Sequence, residues 1–348
     1  MKKAIVTLRI PETHLERLKS RCQVVLAGWG KTGRRLTERE LSVIAQDAQI
    51  LLAGYERVSA RVIGSAQNLE LIGCARATPV NIDVAAATER GIPVLFAPGR
   101  NANAAAEFTL GLMLAASRHI ARAHHVLKTG DYLGEPASTF SGADPHPDVI
   151  WELDGKSPYK DFRGVELCER TAGLIGLGDI GSRVARLCQA FGLRVVAYSP
   201  YQDTRKAAAL GVELLSLKEL LAVSDFVSVH CRVTDETKRL LGKDEFALMK
   251  PTAYLINTAR AIVIDQEALI EALQNGRIAG AALDVYWNEP LPRNHPLLRL
   301  ENVTLTPHLA GATVEVAERH SGMIVNDVLT WLDGKTPANI YNREVMGE

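Results

Sequence analysis

The sequence predicts an α/β fold with two doubly wound, parallel-sheet domains, the second inserted into the first. Short apolar, β-branched runs alternate with helical patterns almost throughout, the signature of strand–helix–strand units. A length of 348 residues suits two domains. The alternation pauses between residues 101 and 164, and the chain returns to helix after residue 312, placed to cross back onto the first domain. The expected domains are 1–103 plus 312–348, outer and discontinuous, and 104–311, inserted.

Taken in order, the outer domain's strands are "AIVTL", "QVVLAG", "QILLAG", "LELIGCA" and "IPVLFAP", with helical stretches such as "TERELSVIAQDA" and "NIDVAAATERG" between them. Residues 101–125 read as one long helix, rich in Ala and Leu, apolar on several faces and therefore buried against a domain or a second subunit. Residues 130–164 are dense in Gly, Pro, Ser and Asp and read as a surface loop. The inserted domain then supplies "TAGLIGLG", "RVVAYSP", "DFVSVHC", "AYLINTA", "AGAALDV" and "NVTLTP" before the closing helix "TVEVAERHSGMIVNDVLTWLDG".

Composition narrows the class. Lys plus Arg equal Asp plus Glu, 40 of each, and no basic stripe stands out, which argues against nucleic acid and anionic membrane as partners. The five cysteines are scattered and never arranged C-x-x-C, so free thiols in a reducing compartment are expected, with neither a disulfide framework nor a metal site. The apolar run at the start is too short for a signal peptide, and none approaches a membrane span. A cytoplasmic protein is the expectation.

Two stretches match G-x-G-x-x-G: Gly28, Gly30, Gly33 and Gly176, Gly178, Gly181. A dinucleotide turn needs a strand running straight into a helix whose free N–H groups receive the pyrophosphate. After Gly33 the best helix start is Thr37, with Glu40 three residues on as a capping box, so the early glycines fall in a loop. Gly176–Gly181 behaves otherwise. "TAGLIGLG" leads into "DIGSRVARLCQAFG", where Ile180, Val184, Leu187, Cys188 and Phe191 recur at helical spacing, and a further strand follows. This βαβ context makes the second domain a Rossmann-like NAD(P) site. Ser199 stands where an acidic residue usually meets the ribose of NAD. NAD is favoured, and Arg205 and Lys206 nearby keep NADP open.

Hydride chemistry on an acid needs a guanidinium to grip the carboxylate and a group titrating near neutrality to carry the proton. Arg260, Asp284, Glu289 and His308 all follow inserted-domain strands, on the edge where open α/β sheets bind ligands. His124 and His125, on different faces of a helix, and His146, in a Pro-rich loop, carry no metal-site pattern.

With these motifs in this order, nearly the whole chain resembles the D-isomer-specific 2-hydroxyacid dehydrogenases. The resemblance runs from "NIDVAAATERGIPVLFAPGRNANAAAEFTL" through the glycine turn, "SDFVSVH", "INTARA" and "LDVYWNEP" to "TPHLAGAT". It implies a flavodoxin-like substrate domain beside the inserted cofactor domain, a homodimer, and a small 2-hydroxy or 2-oxo acid as substrate. It implies that Arg260 holds the substrate carboxylate and carbonyl, that His308 is the acid/base, and that Glu289 pairs with His308 and raises its pKa. Asp284 would contact the nicotinamide carboxamide. The resemblance gives Gly176, Gly178, Asp179, Ile180, Gly181, Ser199, Cys231, Arg232, Thr258, Ala259 and Gly311 to the remaining cofactor contacts, and the loop of Arg76, Ala77 and Thr78 to the substrate's acid group.

The sequence departs from the family pattern at Ser199, at Ala77 and Thr78 where glycines are common, at Ala261 after Arg260, and at Arg232 where many members have Pro. Tyr55, Glu56 and Arg57 follow a strand; a hydroxyl-selecting role is one reading of this trio, with Glu56 disfavouring a phosphate, and a distal substrate charge on Arg57 is another. A nicotinamide-sensing corepressor of the same fold is the alternative from another class, and an enzyme acting on formate is the alternative within the fold.

Overall fold

The computed structural model describes residues 1–131, 133, 158–201 and 204–347. The chain divides into two compact units, residues 1–101 with 312–348, and residues 102–311. The second unit thus begins two residues ahead of the expected boundary, because Ala102–Ser117 is a continuous helix that belongs to it.

The first unit is built on five strands, β1 (Lys2–Val6), β2 (Cys22–Leu26), β3 (Ile50–Ala53), β4 (Leu71–Cys74) and β5 (Val94–Leu95), all parallel, in the order β2-β1-β3-β4-β5. That is the flavodoxin-like order, with its reversal between β1 and β3. Both faces are apolar, as a sheet covered on two sides requires. Ile5, Leu51, Ile72 and Val94 pack one way with Leu41, Val62 and Ile63. Val6, Leu52, Leu71 and Leu95 pack the other way with Leu18 and with Ile324, Val325 and Val328 of the helix Val314–Leu332. The tail also closes the β5 edge, where Val94 donates to Asn342 Oδ1 (2.7 Å) and Tyr341 N donates to Val94 O (2.8 Å).

The second unit has seven parallel strands, β6 (Thr171–Ile175), β7 (Arg194–Tyr198), β8 (Glu213–Leu214), β9 (Phe226–Val229), β10 (Tyr254–Asn257), β11 (Gly280–Leu283) and β12 (Val303–Leu305), ordered β12-β11-β10-β9-β6-β7-β8. The strand order reverses between β6 and β9, the crevice where a doubly wound sheet takes its ligand. The two-residue β8 carries too little pattern to be read from sequence.

Residues 101–125 are not one helix. Ala102–Ser117 buries ten of its residues, whereas Ile120–Thr129 buries none. The break falls at His119, whose backbone is left-handed (φ 54°), and the Ser117 carbonyl is taken over by the Val165 N–H at 2.9 Å. Of the expected 130–164 loop, residues 132 and 134–157 lie outside the described residues, as does His146; Pro158–Asp161 forms a short helix.

Candidate active site

The early glycines are a structural clasp. Gly28–Thr32 forms one short helical segment where a loop was expected, closed by Gly33 in the left-handed region, while the helix Glu38–Ala45 starts at Thr37 with the Glu40 capping box in place, as expected. Gly28 has φ +54°, and a Cβ there would come within 2.4 Å of Glu56 Oε1. That same oxygen accepts the Trp29 N–H at 2.9 Å. Glu56 is therefore fully buried and turned inward, so it does not present its carboxylate to a substrate hydroxyl, the role the sequence reading held out for it. Arg57 lines a separate open cavity of about 380 Å³ with Arg35, Ser59 and Asn81.

The mid-chain glycines divide the work of a dinucleotide turn. Gly176 has φ +101°, and a Cβ on it would sit 2.8 Å from the Cys231 nitrogen at the end of β9. A Cβ on Gly181 would lie 2.2 Å from the Gly176 carbonyl oxygen, so this glycine lets helix Asp179–Ala190 pack onto the turn. Gly178 faces open space: nothing lies within 4 Å of its missing Cβ. It is also the N-cap of that helix, and no side chain caps it. An open, uncapped helix start at the β6/β9 reversal fits a pyrophosphate, whose charge the free N–H groups and the helix dipole favour.

The other residues expected around a cofactor stand at strand ends of the same sheet. Ser199 follows β7, and its Oγ accepts the Leu177 N–H at 3.4 Å, tying the second strand to the glycine turn. Cys231 is half-buried and Arg232 exposed after β9. The Thr258 hydroxyl is 2.8 Å from that of Thr109, and Ala259 is half-buried beside it. His230 bonds Ser228 Oγ through Nε2 (2.8 Å), and burial pushes its imidazole down to about 4, so it is neutral at neutral pH.

Arg260, Glu289 and His308 follow β10, β11 and β12, three adjacent strands. Asn257, buried at the end of β10, shapes the turn that presents Arg260: its Oδ1 accepts the Ala259 N–H and its Nδ2 donates to the Arg260 carbonyl, both at 3.0 Å. His308 Nδ1 lies 2.8 Å from Glu289 Oε2, while Glu289 Oε1 accepts the Tyr286 N–H at 3.1 Å. Burial opposes the charge on Glu289, but the His308 bond, the Tyr286 N–H and the charges of His308 and Arg260 together hold its carboxyl below the ordinary value. His308 has a left-handed backbone (φ 58°), rare for a residue with a side chain and costly enough to need support from its surroundings.

That support is Asp284, which is fully buried. Its Oδ1 accepts from Thr306 Oγ1 and the Leu309 N–H, both at 2.7 Å, and its Oδ2 accepts the Ala310 N–H at 2.8 Å. Both carboxylate oxygens are thus committed to the segment that carries His308 and ends the unit at Gly311. The Tyr286 hydroxyl adds contacts to the carbonyls of Leu283 (3.1 Å) and Thr306 (2.9 Å). Asn257, Thr306 and Tyr286 escaped the sequence reading; an Asn three residues before Arg260 in "INTARA", able both to accept and to donate across the turn, was the one local signal. Arg76, Ala77 and Thr78 lie in the first unit, after β4, with the Arg76 carbonyl accepting the Ala97 N–H at 2.9 Å and Ala77 and Thr78 exposed. Among the described residues no three His, Cys, Asp or Glu side chains gather as a metal site.

A dinucleotide turn and a guanidinium, imidazole and carboxylate on one sheet edge define the class: a nicotinamide-dependent oxidoreductase. The model of the D-isomer specific 2-hydroxyacid dehydrogenase NAD binding domain matches residues 110–310. The chain is 37% identical over 348 residues to a glyoxylate reductase of Thermofilum pendens, covering 99% of this chain and 95% of that one. It is 40% identical over 313 residues to a D-3-phosphoglycerate dehydrogenase of Archaeoglobus fulgidus, covering 90% of this chain and 54% of the relative. Among solved structures, the TT0316 protein from Thermus thermophilus aligns with a TM-score of 0.79 at 34% identity, over 97% of this chain and 99% of that one. The chain belongs to the D-isomer specific 2-hydroxyacid dehydrogenase family, and it is an oxidoreductase acting on CH–OH groups.

Proposed function

We propose that the chain interconverts a D-2-hydroxy acid and its 2-oxo acid, with Arg260 as anchor, His308 as acid/base and Glu289 as its orienting partner. The 2.8 Å bond between His308 Nδ1 and Glu289 Oε2, on strands adjacent to the one that presents Arg260, carries this reading. The cofactor, when bound, supplies or accepts the hydride. Arg260 grips the substrate carboxylate with parallel N–H bonds and places positive charge where the carbonyl oxygen gains negative charge. With Nδ1 held by Glu289, Nε2 of His308 is the atom that gives or takes the substrate oxygen's proton. Asp284 acts as a positioning residue for His308, and the loop of Arg76, Ala77 and Thr78 contributes backbone contacts to the acid group.

NAD is the cofactor this reading favours. Ser199 brings no charge to the ribose 2′-OH, and the Tyr201 hydroxyl, two residues on, donates to the Glu236 carboxylate at 2.7 Å, so the residues paired just after β7 include an anion rather than a phosphate-binding cation. A homodimer is supported by the helix Ile120–Thr129, which buries nothing while leaving Ile120 and Leu127 half exposed. All five cysteines are free, which supports a reducing, cytoplasmic setting. Among the described residues no helix is long and apolar enough to cross a membrane.

The test is cofactor oxidation with a panel of 2-oxo acids, run with NADH and with NADPH. Arg260→Ala and His308→Ala should each lower turnover by at least ~100-fold. Retained activity in either variant removes that residue from the assignment.

A further inference from the structure

The sheet of the first unit carries, at its C-terminal edge, cationic side chains that the reaction above does not use. Trp29 follows β2, Tyr55 follows β3, Arg76 follows β4 and Arg100 follows β5. This edge contains the β1/β3 reversal, where an open α/β sheet forms its crevice. The Arg76 guanidinium lies 5.3 Å from the centre of the Tyr55 ring, and Tyr55 meets Trp29 edge to face at 5.0 Å. Both rings are exposed, Tyr55 at 49% and Trp29 at 38%.

Arg100 is the unusual member. Its carbonyl is fastened by Arg319 Nη1, yet its Nε is buried with no hydrogen-bond partner. Burial first, and the charge of Arg76 second, push its guanidinium below the ordinary value. His320 offers no compensation: burial and the Arg100 charge hold its imidazole down to about 4, neutral at neutral pH. Glu56 is turned to the Trp29 N–H and is fully buried. Among the described residues neither Arg76 nor Arg100 forms an ion pair. Two neighbouring cations, one part-buried with an unmet donor, are unfavourable unless an anion joins them.

We propose that Arg100, with Arg76 and the wall of Tyr55, forms a subsite for a second anionic group on the substrate, a carboxylate or a phosphate, so that the preferred substrate is a dianionic 2-oxo acid. The proposal rests on the reading of the chain as a 2-oxo acid reductase and adds the class of its side chain. Arg100 supplies the buried charge, Arg76 the second donor, and Tyr55 keeps the Arg76 guanidinium flat and oriented.

The experiment compares kcat/KM of the enzyme for glyoxylate and pyruvate, which have one acid group, for hydroxypyruvate, and for oxaloacetate and 3-phosphohydroxypyruvate. At least one dianion should exceed the single acids by roughly tenfold or more, chiefly through KM. Which of the two leads decides between carboxylate and phosphate. Arg100→Gln should shrink the dianion-to-monoanion ratio by about tenfold, and Arg100→Lys should restore part of it. Calorimetric titration of the cofactor-free protein with malonate and with inorganic phosphate should show binding that Arg100→Gln removes. Hydroxypyruvate or a single acid equal to both dianions, or an unchanged ratio in folded Arg100→Gln, overturns the proposal. If the substitution prevents folding, the wild-type panel alone decides. Should no 2-oxo acid be reduced with either cofactor while malonate or phosphate still binds through Arg100, the reductase reading fails and the subsite stands.

Discussion

Asp284→Asn isolates the support beneath His308. The substitution keeps the shape of the side chain but replaces one carboxylate oxygen with an NH2 group. If the amide nitrogen takes the Oδ2 place, it faces the Ala310 N–H, which now bonds at 2.8 Å, donor against donor. If it takes the Oδ1 place, it faces the Leu309 N–H and loses the acceptor of two bonds. Either way at least one hydrogen bond to a fully buried charged group is lost and one N–H is left unmet. The expected cost is about 2–3 kcal/mol. For a unit of this size that lowers Tm by roughly 5–10 °C. The left-handed backbone at His308 depends on this clamp, so the imidazole should shift, and kcat should fall by roughly 30–100-fold, as a misplacement of ~1 Å produces. The assays are thermal unfolding, steady-state kinetics and direct NADH titration. Positioning predicts a fall in kcat and Tm with the NADH Kd little changed. A variant that melts with the wild type but binds NADH much more weakly would refute the clamp and return Asp284 to the carboxamide contact that the family resemblance implies.

The two glycine runs should respond differently to a side chain. Gly178→Val projects into open space, so it should weaken NADH binding by at least ~10-fold while Tm holds, read by titration and melting. Gly28→Ala meets both a positive φ and the Glu56 carboxylate, so it should cost about 1–3 kcal/mol in denaturant unfolding and leave NADH affinity alone. The pH response of Glu289 follows from its lowered carboxyl: the stabilisation it brings is complete above its ordinary value of 4.5 and is lost as pH falls through the lower folded value. The Tm difference between wild type and Glu289→Gln should therefore shrink as pH falls below about 4.

The features legible in the sequence are those whose causes are local. The choice between the glycine runs turned on a capping box at Thr37–Glu40 and on a strand running unbroken into a helix at Asp179, both contained within a dozen residues. Strand identities were legible because both faces of each sheet are covered, leaving dense apolar runs. What was hidden depends on contacts distant in sequence. Nothing near Asp284 announces that its oxygens are spent on residues 306–310. Glu56 looks like any surface acid until Gly28 and Trp29 enclose it. The break at His119 arises because Val165 takes the Ser117 carbonyl, a partner 48 positions away. Arg100 carries no motif, and only burial without a partner distinguishes it from an ordinary surface arginine.

The interrupted first unit has a consequence for biosynthesis. Its five strands emerge from the ribosome early, but the underside formed by Leu52, Leu71 and Gly73 is sheltered by Ile324, Val325 and Val328 from beyond the insertion. At ~5–20 residues per second, the intervening roughly 200 residues take about 10–40 s to appear. The inserted unit is contiguous and is free to fold during that interval, whereas the earlier sheet waits half-clothed for its last helix. In nascent chains of this protein the inserted unit is therefore complete before the unit that began first, and the window before residue 328 is translated is when chaperones have the most apolar surface to guard.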